Sequence, residues 1–113
     1  MIAVLFEVIP KAGESETYLE VAKSLRPLLD NLEGFISVER FQSLTNPQKM
    51  LSLSFWKDKD SITQWRNLEA HRAAQHQGRH MIFEEYRLRV AGIIRDYGMT
   101  DRAQAPTENK TIY

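Results

Sequence analysis

Apolar positions alternate at the start of the chain, then recur at helical spacing, then alternate again. Residues 2–9 carry Ile2, Val4, Phe6 and Val8 on one face and Ala3, Leu5 and Ile9 on the other. A strand apolar on both faces is covered on both sides. Pro10 to Ser15 is turn and cap chemistry, with Ser15 the expected N-cap and acidic Glu16 in the first turn. Tyr18, Val21, Ala22, Leu25, Leu28, Leu29 and Leu32 then form one helical stripe. Pro27 falls inside that stripe, which continues past it, so a kink is expected rather than a stop. Gly34 is the expected C-terminal stop.

Phe35 to Ser43 reads as a strand, with Ile36, Val38 and Arg40 on one face and Glu39 and Phe41 on the other. Asn46-Pro47 marks a turn, and Met50 to Trp56 alternates as the next strand, giving a hairpin. Leu51, Leu53 and Phe55 face one way. Ser52, Ser54 and Trp56 face the other, which suggests a Trp56 partly exposed at a strand end. Asp58 to Asp60 opens a helix with Ile62, Trp65 and Leu68 on its apolar side. A second helical stretch runs from about Glu69 to Gln77 and ends at Gly78; Tyr86 to Tyr97 reads as the last strand. The expected domain is residues 1–98, and residues 99–113 form a polar tail unable to bury a core of its own.

The order β-α-β-β-α-β is the ferredoxin-like split βαβ, an α+β fold with four antiparallel strands. Right-handed crossovers put both helices on one face of the sheet. The other face would carry Phe6 or Leu5, Phe41 or Val38, and Val90 or Ile93. That is too much apolar area for a monomer to leave in water, so a homodimer packed sheet to sheet is expected.

Composition narrows the function classes. The 113 residues suit one domain, and 15 Lys+Arg balance 15 Asp+Glu. A balanced charge argues against nucleic acid as partner. Without cysteine there are no disulfides, thiolate metal sites or thiol nucleophiles. No apolar run reaches the ~20 residues of a membrane span. The N-terminus lacks a basic flank and cleavage site, so a cytoplasmic protein is expected. There is no Gly-x-Gly-x-x-Gly, Gly-x-x-x-x-Gly-Lys or Gly-x-Ser-x-Gly, so no organic cofactor is expected.

Candidate chemistry gathers in the second half. His71 could be a base, a haem ligand or a donor to substrate; a surface or capping histidine is the plain alternative. His76 and His80 have chelating spacing, but Gly78 lies between them. Trp65 on an apolar stripe is either core or a pocket wall. Arg87, Arg89 and Arg95 share a strand face and either lie in solvent or an interface, or hold an anion.

Glu33-Gly34-Phe35, Phe55-Trp56 with an acidic helix start, Trp65, Glu69-Ala70-His71 and Arg95-Asp96-Tyr97, in this order, resemble the antibiotic biosynthesis monooxygenase (ABM) domain over about residues 1–98. The resemblance implies a dimeric α+β barrel. It also implies oxygen chemistry, either cofactor-independent oxidation of small planar phenols with O2 or haem degradation. The phenol-oxidising pattern places Asn, Trp, Tyr and Arg around the substrate, for which Asn67, Trp65, Tyr86 and Arg87 are available; the expected catalytic residues are Trp65, shaping the pocket, and His71, with His71 or an arginine holding the substrate anion. On the haem pattern, Trp65 matches the family tryptophan and His71 or His76 would hold iron. The family's first-strand asparagine is missing, since Phe6 or Glu7 stands there. A non-catalytic dimeric binding module is the remaining alternative.

Overall fold

The computed structural model describes residues 1–75 and 82–107. Its elements follow the expected order: β1 (Ile2–Pro10), α1 (Ser15–Asp30), β2 (Phe35–Gln42), β3 (Met50–Trp56), α2 (Lys59–Gln75) and β4 (Phe83–Gly92). The sheet order is β2-β3-β1-β4, with every neighbouring pair antiparallel. This is the α+β, ferredoxin-like arrangement that the pattern implied.

Several boundaries differ from expectation. Ser15 is the first residue of α1 and Glu14 the N-cap, with no side-chain cap bond. A turn closed by the Glu14 N–H donating to Lys11 O (2.9 Å) starts the helix early. Helix α1 continues through Pro27 to Asp30. The two expected helical stretches after Asp58 are one helix through Gln75. Strand β4 runs three residues earlier than expected at its start and stops at Gly92. Its extent is dictated by its partner: β1 pairs from Pro10↔Phe83 to Ile2↔Gly92, and the Ile93 N–H donates to Met1 O where β1 runs out. Beyond it the chain turns on itself, with Gln104 accepting from the Asp96 N–H and Arg102 stacked over Tyr97.

Register sorts the side chains into two faces. Trp56 packs with Leu29 of α1 and Ile62 of α2, which marks the helix face. Alternation from that point assigns Ile2, Val4, Phe6, Val8, Ser52, Ser54, Leu88 and Val90 to the same side. Leu5, Leu51, Leu53, Phe55 and Phe41 lie on the helix-free side. Of the alternatives, therefore, Leu5 and Phe41 are on the bare face, while Phe6, Val38 and Val90 are under the helices. Glu7 sits among the bare-face side chains, ion-paired with Lys49 (2.6 Å) and Arg89. Lys49, then Arg89, hold its carboxyl below the usual carboxylate range.

Trp56 is not partly exposed; at 1% exposure it is among the most buried side chains described. The serines that share its face line a covered space, and Ser54 Oγ accepts the indole N–H at 2.8 Å. Strand β2 carries a register shift between Phe35 and Ser37, which leaves Ile36 as an extra, half-exposed residue. Phe35 and Arg40 therefore both fall on the helix face despite their odd separation. No helix among the described residues is long and apolar enough to cross a membrane.

Candidate functional site

A cavity of about 510 Å³ lies between the two helices and the sheet. That is within the usual size of small-molecule sites. Its floor is built in rows across the sheet. One row is Val38, Ser54, Val4 and Val90; the next is Arg40, Ser52, Phe6 and Leu88. Tyr18, Val21, Ala22, Leu25 and Leu29 of α1 form one wall, and Ile62, Trp65 and Arg66 of α2 contribute another. The lining is mostly hydrocarbon and aromatic ring, as the spacing of the helical stripe in α1 dictates.

Two aromatic groups bracket this space. At one end Trp65 lies 6.4 Å, centroid to centroid, from Trp56, whose other side meets Phe35 edge-on at 5.3 Å. At the other end Phe83 touches Phe6 and Tyr18 at 5.6 Å each, and Tyr86 meets Phe6 at 5.6 Å. Such edge and tilted contacts are the favoured geometry of aromatic pairs. They fix the rings without filling the space between the two groups. On β4, Tyr86, Leu88 and Val90 are about half exposed although they line the cavity, so this strand forms its rim.

The polar groups are few. Arg40 Nε donates to Tyr18 Oη (3.3 Å), and the guanidinium carbon stands 5.8 Å from the centre of the Tyr18 ring. Ser52 lies beside Arg40 in register, and Arg66 lines the α2 side. At the mouth of α2, Asp58 Oδ1 accepts from the Ser61 N–H (2.9 Å) and hydroxyl (2.7 Å). Those two bonds, the backbone one first, hold the Asp58 carboxyl below its ordinary range and fix the start of the helix that carries Trp65.

Of the residues expected at a site, Trp65 and Tyr86 both line this cavity. Arg87 does not. It pairs in register with Glu7 on the helix-free face, because neighbours on a strand point to opposite sides and Tyr86 takes the inner one. Asn67 is exposed on α2 and outside the lining: two residues from Trp65 is more than half a turn of helix away. His71 belongs to the backbone of α2, and its side chain lies outside the described residues, as do His76 and His80 altogether. The sequence reading missed Tyr18, Arg40, Ser52 and Arg66 as site residues. Arg40 had a signal, an arginine sharing a strand face with Val38, where charge is uncommon unless partnered.

The whole architecture has relatives. The model of the family described as antibiotic biosynthesis monooxygenase matches residues 1–77. A Pyricularia oryzae protein named jasmonate monooxygenase ABM is 47% identical over 93 residues, 82% of this chain and 43% of that protein. This chain thus spans less than half the length of that relative. The uncharacterized protein YqjZ of Bacillus subtilis is 31% identical over 93 residues, 82% of this chain and 79% of its own. The solved structure of Rv0793 from Mycobacterium tuberculosis superposes with a TM-score of 0.72, covering 86% of this chain and 98% of that one. At 9% identity that likeness shows the fold alone.

Proposed function

Because this chain belongs to the antibiotic biosynthesis monooxygenase family, we propose that it oxygenates a small planar aromatic or phenolic compound with O2. The observation that carries this reading is the cavity of about 510 Å³, walled by aromatic rings and open along β4. A flat ring system fits between Trp65 at one end and Phe6, Phe83 and Tyr86 at the other. The relative named jasmonate monooxygenase supports oxygenation of a small organic molecule as the reaction type.

In the cofactor-free form of the reaction the substrate supplies the electrons. Its phenolate or enolate donates to O2, and a ring CH2 becomes C=O. One oxygen atom of O2 enters that carbonyl, and the other leaves as water with the two hydrogens. Trp65 excludes water from this space and holds the ring, and Tyr86 covers it from the rim. His71 is the proposed proton acceptor. β1 offers Phe6 where the haem-degrading pattern has asparagine, so no step is routed through haem. A second copy, packed on the helix-free face through Leu5, Leu51, Leu53 and Phe55, completes the proposed cytoplasmic homodimer.

The test is oxygen uptake with anthrone, followed together with anthraquinone formation. Wild type should consume oxygen in step with quinone. Trp65→Phe should lower kcat/KM on the order of tenfold through a misplaced substrate, with melting unchanged. No uptake above the uncatalysed rate, together with a Soret band on titration with hemin, would transfer the assignment to haem. Neither signal would leave a binding module.

A further inference from the structure

Arg40 is a feature of the cavity floor that an apolar substrate does not explain. It is a part-buried arginine on the floor of a space otherwise lined mainly by hydrocarbon. Taking a guanidinium partly out of water is costly unless an anion or several acceptors receive it. Among the described residues no carboxylate pairs with it; the ion pairs there are Arg26–Asp30, Lys49–Glu7 and Arg89–Glu7. Its hydrogen bond is to Tyr18 Oη, made through Nε.

The geometry of that bond leaves three donors for a ligand. The Nε–H is occupied by Tyr18, so both Nη groups of Arg40 stay available. The Tyr18 oxygen accepts from Arg40, so its own proton points elsewhere. Ser52, next to Arg40 across the β2–β3 ladder, adds a second hydroxyl on the cavity floor. Guanidinium fork, phenol and hydroxyl together match the acceptors of a carboxylate.

Resting on the oxygenase reading above, we propose that the substrate is an aromatic acid, whose carboxylate is held by Arg40, Tyr18 and Ser52. The rest of the molecule then points along β3 towards the other end of the cavity. From Ser52 to Trp56 is four strand residues, about 13 Å. The acid anchor and the Trp56–Trp65 pair are thus one small molecule apart, and the oxidised carbon lies at the end distant from the carboxylate. Anchoring by charge at one end converts a featureless apolar cavity into one that selects a position on the ring system.

Isothermal titration with naphthaleneacetate and its neutral isostere naphthaleneacetamide tests this without turnover. Wild type should bind the acid roughly ten- to a hundredfold more tightly than the amide, the range for a lost charge-assisted hydrogen bond. Arg40→Gln should remove that preference by weakening the acid and leaving the amide unchanged. Arg40→Lys should restore part of it, and Tyr18→Phe should reduce it. Retained amide affinity shows that the cavity of each variant is still formed. Equal affinities in wild type, binding of neither ligand, or a preference that survives Arg40→Gln overturns the proposal. So does a preference abolished instead by Arg66→Gln, which would move the anion to the α2 wall. Oxygen uptake with uncharged anthrone is independent of all these outcomes, so the oxygenase reading stands or falls separately.

Discussion

Gly34 joins α1 to β2 with φ +91°, a region that side-chain-bearing residues avoid. A Cβ built there would collide with Ser61 Oγ and stand 2.9 Å from Ser61 Cβ. Ser61 cannot easily yield. It is 5% exposed, and both its N–H and hydroxyl are committed to Asp58. Gly34→Ala therefore carries two separable costs. The left-handed backbone contributes about 1–2 kcal/mol, and forcing the methyl group against Ser61 about 1–3 kcal/mol. The total of about 2–5 kcal/mol is a large share of the ~5–15 kcal/mol that holds a domain together. Urea unfolding followed by tryptophan fluorescence should show a lower midpoint with an unchanged slope. Ser61→Gly removes the obstructing side chain, so the double variant measured against Ser61→Gly alone should show only the backbone cost of Gly34→Ala. The coupling between the two sites should then be about 1–3 kcal/mol. A Gly34→Ala protein within about 0.5 kcal/mol of wild type, or strict additivity with Ser61→Gly, would refute this account of the α1–β2 junction.

Two further outcomes are expected. Asp58 is held below its ordinary value of 3.8 by Ser61, so its contribution is present above that pH and lost as pH falls through the lower folded value. Melting temperatures taken from neutral pH into that acid range should converge between wild type and Asp58→Ala; a gap that stays constant would exclude the linkage. Sedimentation should give about twice the 13.2 kDa chain mass, and Leu53→Glu on the helix-free face should give a folded single chain; a wild type that is monomeric at micromolar concentration contradicts the sheet-to-sheet dimer.

The element order was legible where elements carry a strong period: the α1 stripe from Tyr18 to Leu29, and the strict alternation of Met50–Trp56. The ends were less so. The stop of β4 at Gly92 depends on where β1 begins, which local pattern does not contain. Trp56 misled for a related reason. Leu51, Leu53 and Phe55 look like the core side of β3, and Ser52 and Ser54 like the wet side. The helices cover the serine side, and Trp56 anchors beneath them. A strand with one apolar and one serine-rich face tells its alternation but not which face is covered. Of the expected site residues, Trp65 on α2 and Tyr86 on β4 line the cavity. Arg87 falls on the helix-free face because a one-residue difference on a strand reverses the face. Arg40 went unnoticed because its partner, Tyr18, is 22 positions away on another element.

The extra residue at Ile36 turns the charge of Arg40 onto the cavity floor. Without that register shift, alternation from Phe35 would turn Glu39 and Phe41 inward and Arg40 outward, and the same strand would supply a carboxylate to the floor in place of a guanidinium. The polarity of this floor is thus encoded in strand register as well as in side-chain identity. Deleting Ile36 would only restore regular alternation and keep Arg40 inward, whereas a regular ladder that retains Ile36 would put the Glu39 carboxylate on the floor. The sign of the charge on the cavity floor therefore rests on whether one backbone position of β2 stays out of the ladder.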